Sequence, residues 1–160
     1  MKQVISVITI LLISVGMCLA DTKRGDREVS GMVQLSAPTD GDTIYSVIGS
    51  FGYFVTDRAE IKALVSVTEA SGNLLGTAGV GADYMINPKE ELIPFFGASI
   101  SMNVGESGST EDDALADFHV GLKQFVGDNA AINFTAEYLI TLGESGDGAF
   151  RGLIGLSLFF

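Results

Sequence analysis

Most of this sequence alternates between apolar and polar or small residues with a period of two, which is the pattern of β-strands and not of helices. The last ten residues, RGLIGLSLFF, are the clearest case, because every second residue from Ile154 to Phe160 is large and apolar. Side chains two residues apart lie on the same face of a strand. Each segment of this kind therefore offers one apolar face and one face that is mainly polar or small.

Eight segments of strand length carry this alternation, and Gly, Asp, Asn and Pro fill the gaps between them, as turns require. We predict strands at about 28–37, 43–56, 59–69, 74–86, 92–103, 114–126, 130–141 and 151–160. The connections TDRA, NPKEE and GDN are short, whereas the alternating ones, PTDGD, EASGN, VGESGSTEDD and LGESGDGAF, are generally longer and more acidic. Consecutive connections of an up-and-down barrel lie at opposite rims. The sequence therefore predicts an all-β fold, an eight-stranded antiparallel up-and-down β-barrel. Its connections are short at one rim and generally longer at the other.

Residues 1–20 have the composition of a signal peptide. Lys2 precedes the apolar run VISVITILLISVG, and CLA places small residues at the positions that signal peptidase reads before Asp21. We expect cleavage after Ala20, which leaves 21–160 as the barrel domain. A membrane anchor and a lipoprotein acylated on Cys18 are the alternatives, although Met17 fits poorly before such a cysteine. Cleavage at Ala20 would leave no cysteine for disulfides or thiolate metal sites.

The net charge excludes one class of function. The chain carries 9 Lys and Arg against 20 Asp and Glu, and removing Lys2 with the signal peptide leaves eight bases and 20 acids, a net charge of −12. Nucleic acid binds to basic surfaces, so we expect no nucleic-acid partner. The 47% hydrophobic content is too high for a disordered chain.

Periodicity alone does not decide which face of the barrel points outward. A soluble barrel encloses its apolar face, whereas a membrane barrel exposes it to lipid. The polar face here combines small residues with charges of both signs, which suits the narrow lumen of an eight-stranded barrel. We predict a lumen polar network of Glu60, Lys62, Asp83, Asp117, His119, Lys123, Glu137 and Arg151, with Glu28 as a further lumen anion. We predict a lipid-facing set in the last strand, Ile154, Leu156, Leu158 and Phe160.

Aromatic residues cluster near the predicted short turns: Tyr53, Phe54, Tyr84, Phe95, Phe96 and Phe125. In a membrane barrel such rings form a girdle at the interface. The alternative is that they fill the core of a soluble barrel.

Three stretches carry a resemblance to a known family: GSFGYFVTDRAEI, AGVGADYMINPKEELIPFFGASI and FHVGLKQFVGDNAAINFTAEY. They resemble the small outer-membrane β-barrel proteins of Gram-negative bacteria, the superfamily that includes the OmpA transmembrane domain, OmpX and OmpW. The resemblance covers about residues 28–160 and implies a transmembrane barrel in the cell outer membrane. It also implies contact with outer-membrane lipid and lipopolysaccharide, and a last strand ending in Phe160 that the barrel assembly machinery recognises. The soluble peptidoglycan-binding domain of OmpA-type proteins has no counterpart after the last strand, so we do not expect that function.

The same resemblance permits an enzyme, because some outer-membrane barrels are lipid A acyl-modifying enzymes or proteases. The one histidine, His119, falls on the predicted lumen face and not on the lipid face that a lipid deacylase would use. The acidic stretch GESGSTEDDALAD has the oxygen ligands that calcium prefers but lacks the EF-hand order. GTAGVG lacks the helix that a phosphate-binding loop needs. We therefore predict no catalytic residue, no specific metal site and no cofactor.

The predicted function is that of a monomeric, structural or surface-interaction protein of the envelope, acting through its longer acidic connections. One alternative is a narrow channel or transporter for small hydrophobic molecules, as the OmpW resemblance suggests. A less favoured alternative is a soluble periplasmic ligand-binding barrel, which would have its apolar face inside.

Overall fold

The computed structural model describes residues 22–36, 44–70, 73–104, 114–142 and 148–160, so the predicted signal peptide with Cys18 lies outside the described residues. Eight strands follow one another: β1 (Arg27–Ser36), β2 (Ile44–Phe54), β3 (Ala59–Ala70), β4 (Asn73–Met85), β5 (Leu92–Asn103), β6 (Ala114–Gly127), β7 (Ala130–Leu142) and β8 (Gly148–Phe159). In these ranges, no helix has the length and apolar character to cross a membrane.

Each strand pairs antiparallel with the next, and β8 pairs with β1. The sheet is therefore a closed barrel, and the predicted eight-stranded antiparallel fold is confirmed. The closing pair is extended beyond the strands by two backbone hydrogen bonds, from Arg27 N to Phe160 O at 2.9 Å and from Phe160 N to Arg27 O at 3.0 Å.

The predicted strand ends lie within two residues of the observed ones, except at the start of β8. β8 begins at Gly148, three residues earlier than expected, because Phe150 pairs with Tyr138 on β7 and their rings lie 4.6 Å apart. β3 and β4 pair as far as Ala70 and Asn73, which leaves only residues 71–72 between them. The connection EASGN is therefore short, in contrast to the generally longer connections that the sequence predicts at that rim.

The two rims can now be defined. The short-turn rim contains residues 55–58, 86–91 and 128–129, and the long-connection rim is the opposite end of the barrel, where the sequence segments 37–43, 71–72, 104–113 and 143–147 join one strand to the next. Residues 22–26 cross the short-turn rim, where Thr22 is buried and its hydroxyl donates to Asp57 O at 3.0 Å. Gly25 adopts a φ of +99° in this turn, a conformation that favours glycine.

The barrel is apolar outside and polar inside. Val65, Val120 and Leu156 expose 62%, 60% and 55% of their surface, whereas Glu60 and Lys123 expose 1% and 2%. A soluble barrel has the opposite arrangement. The structure therefore excludes the ligand-binding barrel with an apolar interior that the sequence left open.

The aromatic residues near the short turns divide between the two faces. Tyr53, Tyr84 and Phe96 point outward, as a girdle requires. The other three predicted girdle residues were assigned wrongly, because they lie inside the lumen as part of an apolar plug at the short-turn end. The plug consists of Phe54, Met85, Ile93, Phe95, Phe125, Ala131 and Phe159. Strand alternation places neighbouring rings such as Phe95 and Phe96 on opposite faces, so nearness to a rim does not make an aromatic residue interfacial.

The outward apolar belt yields a stability prediction. Replacing Val120, in the middle of β6, by arginine should lower the free energy of unfolding by about 2–4 kcal/mol, because it places a cation in hydrocarbon. The measurement is denaturant unfolding of the barrel reconstituted in phospholipid vesicles. Val55→Arg, at the exposed short-turn rim, is the control and should cost about 0–1 kcal/mol. Equal costs at the two positions would contradict a lipid-facing Val120.

Candidate functional site

All eight residues predicted for the lumen network point into the barrel, together with Glu28. They form a charged layer next to the apolar plug. On the side of this layer towards the long-connection rim, the lumen is lined by paired hydroxyls: Ser30 with Ser50, Ser46 with Thr68, and Ser66 with Thr77. The functional role of the charged layer stays a prediction.

His119 is the centre of the charged layer. Its Nδ1 lies 2.6 Å from Asp117 Oδ1 and its Nε2 lies 2.8 Å from Asp83 Oδ1. The second oxygen of Asp83 accepts a 2.6 Å hydrogen bond from Lys62 Nζ, and the second oxygen of Asp117 accepts one from the Ser99 hydroxyl. Both ring nitrogens can donate to these carboxylates only if the imidazole carries two protons.

The contact between Asp83 and His119 depends on a glycine. The two residues are on β4 and β6, with β5 between them, and Gly97 of β5 is the register partner of both. A Cβ at position 97 would overlap Asp83 Oδ1 and His119 Nε2. Gly97 therefore opens the space in which the two side chains meet across an intervening strand.

A second group of contacts joins opposite walls of the barrel. Lys123 Nζ on β6 donates to Glu28 Oε2 on β1 at 2.5 Å. Glu28 Oε1 accepts from Ser157 on β8, and Ser157 in turn accepts from Asn133 on β7, both at 2.5 Å. Lys123 Nζ also lies 5.6 Å and 5.2 Å from the ring centres of Phe95 and Phe159, which links the charged layer to the plug.

A third contact closes the layer between β7 and β8. Glu137 and Arg151 are register partners and form an ion pair. Glu137 is also the register partner of His119 on β6. A cavity of about 70 Å³ lies in the lumen and is lined by residues of all eight strands, among them Ser99, Asp117, His119, Thr135, Glu137 and Arg151.

One carboxylate of the layer has no partner. Glu60 exposes 1% of its surface, and neither of its oxygens has a hydrogen bond among the described residues. Its carboxylate lies over Gly52, where a Cβ would overlap it. Five lumen carboxylates (Glu28, Glu60, Asp83, Asp117, Glu137) face three bases (Lys62, Lys123, Arg151) and one histidine. The three bases and a doubly protonated His119 together balance four of the carboxylates, and the fifth, Glu60, avoids an uncompensated buried charge only as the neutral acid.

Among the described lumen residues, no serine hydrogen-bonds to a nitrogen of His119. A nucleophilic serine must hydrogen-bond a basic ring nitrogen, whereas both nitrogens of His119 face carboxylates and Ser99 contacts Asp117 instead. Asp117, His119 and Glu137 do bring three potential metal-ligand atoms within 4.8 Å of one another. Strand alternation predicts that His119 lies on the lumen face beside Asp117 and near Glu137 of the next strand, and the register between β6 and β7 brings the three together.

Sequence reasoning also left out the contacts of Asn133, Ser157 and Ser99. Their inward positions follow from strand alternation, but their partners lie on other strands, so only the barrel geometry brings them together.

The four residues predicted to face lipid on β8 are all exposed on the outer surface: Ile154, Leu156, Leu158 and Phe160.

Comparison with known proteins identifies the fold. Neither a protein family nor a curated protein matches the sequence. Among solved structures, the N-terminal β-barrel domain of OprF from Pseudomonas aeruginosa matches with a TM-score of 0.69 and 18% identity, over 86% of this chain and 98% of that domain. A de novo designed transmembrane β-barrel matches with a TM-score of 0.65 and 17% identity, over 88% of this chain and 99% of the design.

Neisserial surface protein A (NspA) is a third structure with this architecture, with a TM-score of 0.59 and 17% identity, over 84% of this chain and 96% of that protein. At these identities the likeness establishes a shared fold. The resemblance to small outer-membrane barrels drawn from the sequence is confirmed at that level.

The ion pair between Glu28 and Lys123 yields a prediction. Lys123→Met should lower the free energy of unfolding by about 3–5 kcal/mol, because it leaves Glu28 charged and unpaired in a buried site. The double variant Glu28→Gln with Lys123→Met should recover most of this loss, since neither partner is then charged. Denaturant titration in vesicles measures both, with the exposed Lys89→Met as the control, expected within about 0.5 kcal/mol of the parent protein. A double variant as unstable as the single one would show that packing of the Lys123 stem, and not charge, dominates.

Proposed function

We propose that this protein is an integral outer-membrane barrel of a Gram-negative envelope, with a structural or surface-interaction role carried by its acidic connections. The observation that carries the proposal is the inverted polarity of a closed barrel, with an apolar belt outside and buried ion pairs inside. Such a surface is stable in hydrocarbon and exposes too much apolar area for a soluble monomer. The shared fold with the OprF domain and NspA supports the same location.

The distribution of charge between the rims supports a surface role. The four connections at the long-connection rim contain eight acidic residues and no basic residue: Asp40, Asp42, Glu106, Glu111, Asp112, Asp113, Glu144 and Asp147. The short-turn side is mixed, with four basic residues (Lys23, Arg24, Arg58, Lys89) and five acidic ones (Asp26, Asp57, Glu90, Glu91, Asp128). We propose that the acidic rim faces the cell exterior and binds lipopolysaccharide phosphates through shared divalent cations, since carboxylate and phosphate oxygens both coordinate Ca²⁺ and Mg²⁺.

The lumen favours this role over that of a channel. The apolar plug occupies the short-turn end, and the charged layer with its ion pairs lies directly beside it. The interior of an eight-stranded barrel is only wide enough for its own side chains. We therefore propose that the barrel acts as a monomeric anchor for its connections and not as a transporter of small hydrophobic molecules.

We also propose that β8 is the strand that the outer-membrane assembly machinery recognises. Its outer face carries Ile154, Leu156, Leu158 and Phe160, and β8 closes the barrel against β1. Phe160→Ser should therefore slow assembly several-fold, measured as the appearance of protease-resistant barrel in membranes after pulse labelling. Phe150→Ser, at the opposite end of β8 and also exposed, is the matched control and should assemble at the parent rate. Equal rates for Phe160→Ser and the parent protein would contradict the role of this residue.

Single cysteines test the location and orientation of the barrel. The only cysteine of the sequence, Cys18, lies in the predicted signal peptide, so the mature protein offers a clean background. Ser109→Cys, in the connection between β5 and β6, should react with a membrane-impermeant maleimide in intact cells. Lys89→Cys, in the short turn between β4 and β5, should react only after the outer membrane is permeabilised. The reverse pattern would overturn the orientation, and recovery of both variants in the soluble fraction would overturn the proposal.

A further inference from the structure

We propose that Asp117, His119 and Glu137 form a binding site in the barrel lumen for a divalent transition-metal ion of the Zn²⁺, Co²⁺ and Cu²⁺ class. The three potential ligand atoms lie within 4.8 Å of one another, and all three residues are buried. Asp117 and His119 are two residues apart on β6, and Glu137 faces His119 from β7. Two paired strands of a closed barrel hold these positions rigidly, as a specific metal site requires.

The ring of His119 is already oriented as in protein metal sites. A metal-binding histidine usually donates its second N–H to a carboxylate or a carbonyl, which fixes the tautomer and the ring plane. Asp83 supplies such an acceptor, because its Oδ1 lies 2.8 Å from His119 Nε2. The opposite nitrogen, Nδ1, then faces Asp117 and is available to the metal once its proton is released.

Unpartnered polar atoms around the same cavity point to a ligand. Thr135 Oγ1 and Asn133 Oδ1 have no hydrogen-bond partner among the described residues, and these side chains expose only 8% and 4% of their surface. Both residues line the cavity of about 70 Å³ that Asp117, His119 and Glu137 also line. That volume holds a metal ion with a few waters, and such waters would satisfy the unpartnered oxygens.

The charge next to the cluster also favours a cation. Asp117 and Glu137 place two carboxylates beside His119, which binds metal in its neutral form. Among the described residues one base, Arg151, pairs with these carboxylates.

The ligand set selects the class of ion. An imidazole with two carboxylates suits borderline ions of the first transition series, whereas Ca²⁺ and Mg²⁺ prefer all-oxygen sites. Arg151 is the competing cation, because it pairs with Glu137. Metal binding takes one oxygen of Glu137 from this pair, so the positive charge of Arg151 lowers the affinity of the site.

The presence of one histidine in the chain makes a sharp experiment possible. The untagged mature barrel, extracted from membranes in detergent, is given one equivalent of Cu²⁺, and its electron spin echo is recorded. Coordination by His119 produces the modulation of the remote imidazole nitrogen, and no other residue of the chain contains an imidazole. The same protein is then titrated with Zn²⁺ by calorimetry. If the spectrum of the parent protein shows no imidazole modulation, the proposal is overturned. This measurement does not depend on the folding of any variant.

Three variants locate the site and separate it from the acidic connections. His119→Gln should abolish the imidazole modulation and weaken Zn²⁺ binding at least tenfold, whereas Glu60→Gln, a lumen carboxylate outside the cluster, should keep the modulation. Arg151→Met should bind Zn²⁺ about tenfold more tightly, because it removes a like charge close to the site. If both His119→Gln and Arg151→Met keep the parent affinity for Zn²⁺, the ion binds to the acidic connections. That result would contradict the proposal.

Discussion

The backbone pairing of β8 with β1 is the interaction on which the rest of the structure depends. A strand in hydrocarbon has no water for its N–H and C=O groups, so an open sheet edge is not tolerated there. The register from Glu28 with Phe159 to Val33 with Ile154 closes the wall, and the bonds between Arg27 and Phe160 extend it. Once the wall is closed, the side chains can sort into an outer apolar belt and an inner polar column.

Closure also determines the interior. Eight strands leave a lumen so narrow that charged side chains reach across it, as Lys123 on β6 reaches Glu28 on β1. Removing these groups from water is costly unless they are paired, and pairs or hydrogen bonds join all the lumen charges except Glu60. The plug of aromatic and aliphatic side chains seals the short-turn end, while hydroxyl pairs line the opposite side. The described lumen is thus a column of side chains around a cavity of about 70 Å³ that all eight strands line, and the proposed contacts with other molecules fall to the acidic connections.

The sequence predicted the wall of the barrel well, because the wall is encoded locally. A period of two assigns each residue of a strand to a face. In the structure Lys62, Lys123 and Arg151 point into the lumen, and Leu156 is exposed on the outside. Contacts inside the lumen are not local, because they depend on the register and tilt of all eight strands. The spacing of residues in the sequence could not show two sets of contacts. One links Asp83 to His119 through the space at Gly97, and the other runs from Asn133 through Ser157 to Glu28. The prediction places three aromatic residues on the outer surface: Phe54, Phe95 and Phe125. It gives more weight to their nearness to a rim than to the odd or even position of each residue in its strand, which decides the face.

The central claim is a closed, lipid-embedded barrel with an apolar outer surface. The most direct test is electrophoresis in SDS of the membrane-extracted protein, unheated and boiled. A closed sheet has no edge strand, so it unfolds only when all the hydrogen bonds between two neighbouring strands break. The unheated protein should therefore remain folded and migrate at a different position from the boiled protein. Identical mobility of the two samples, with the protein recovered in the soluble fraction, would contradict the account.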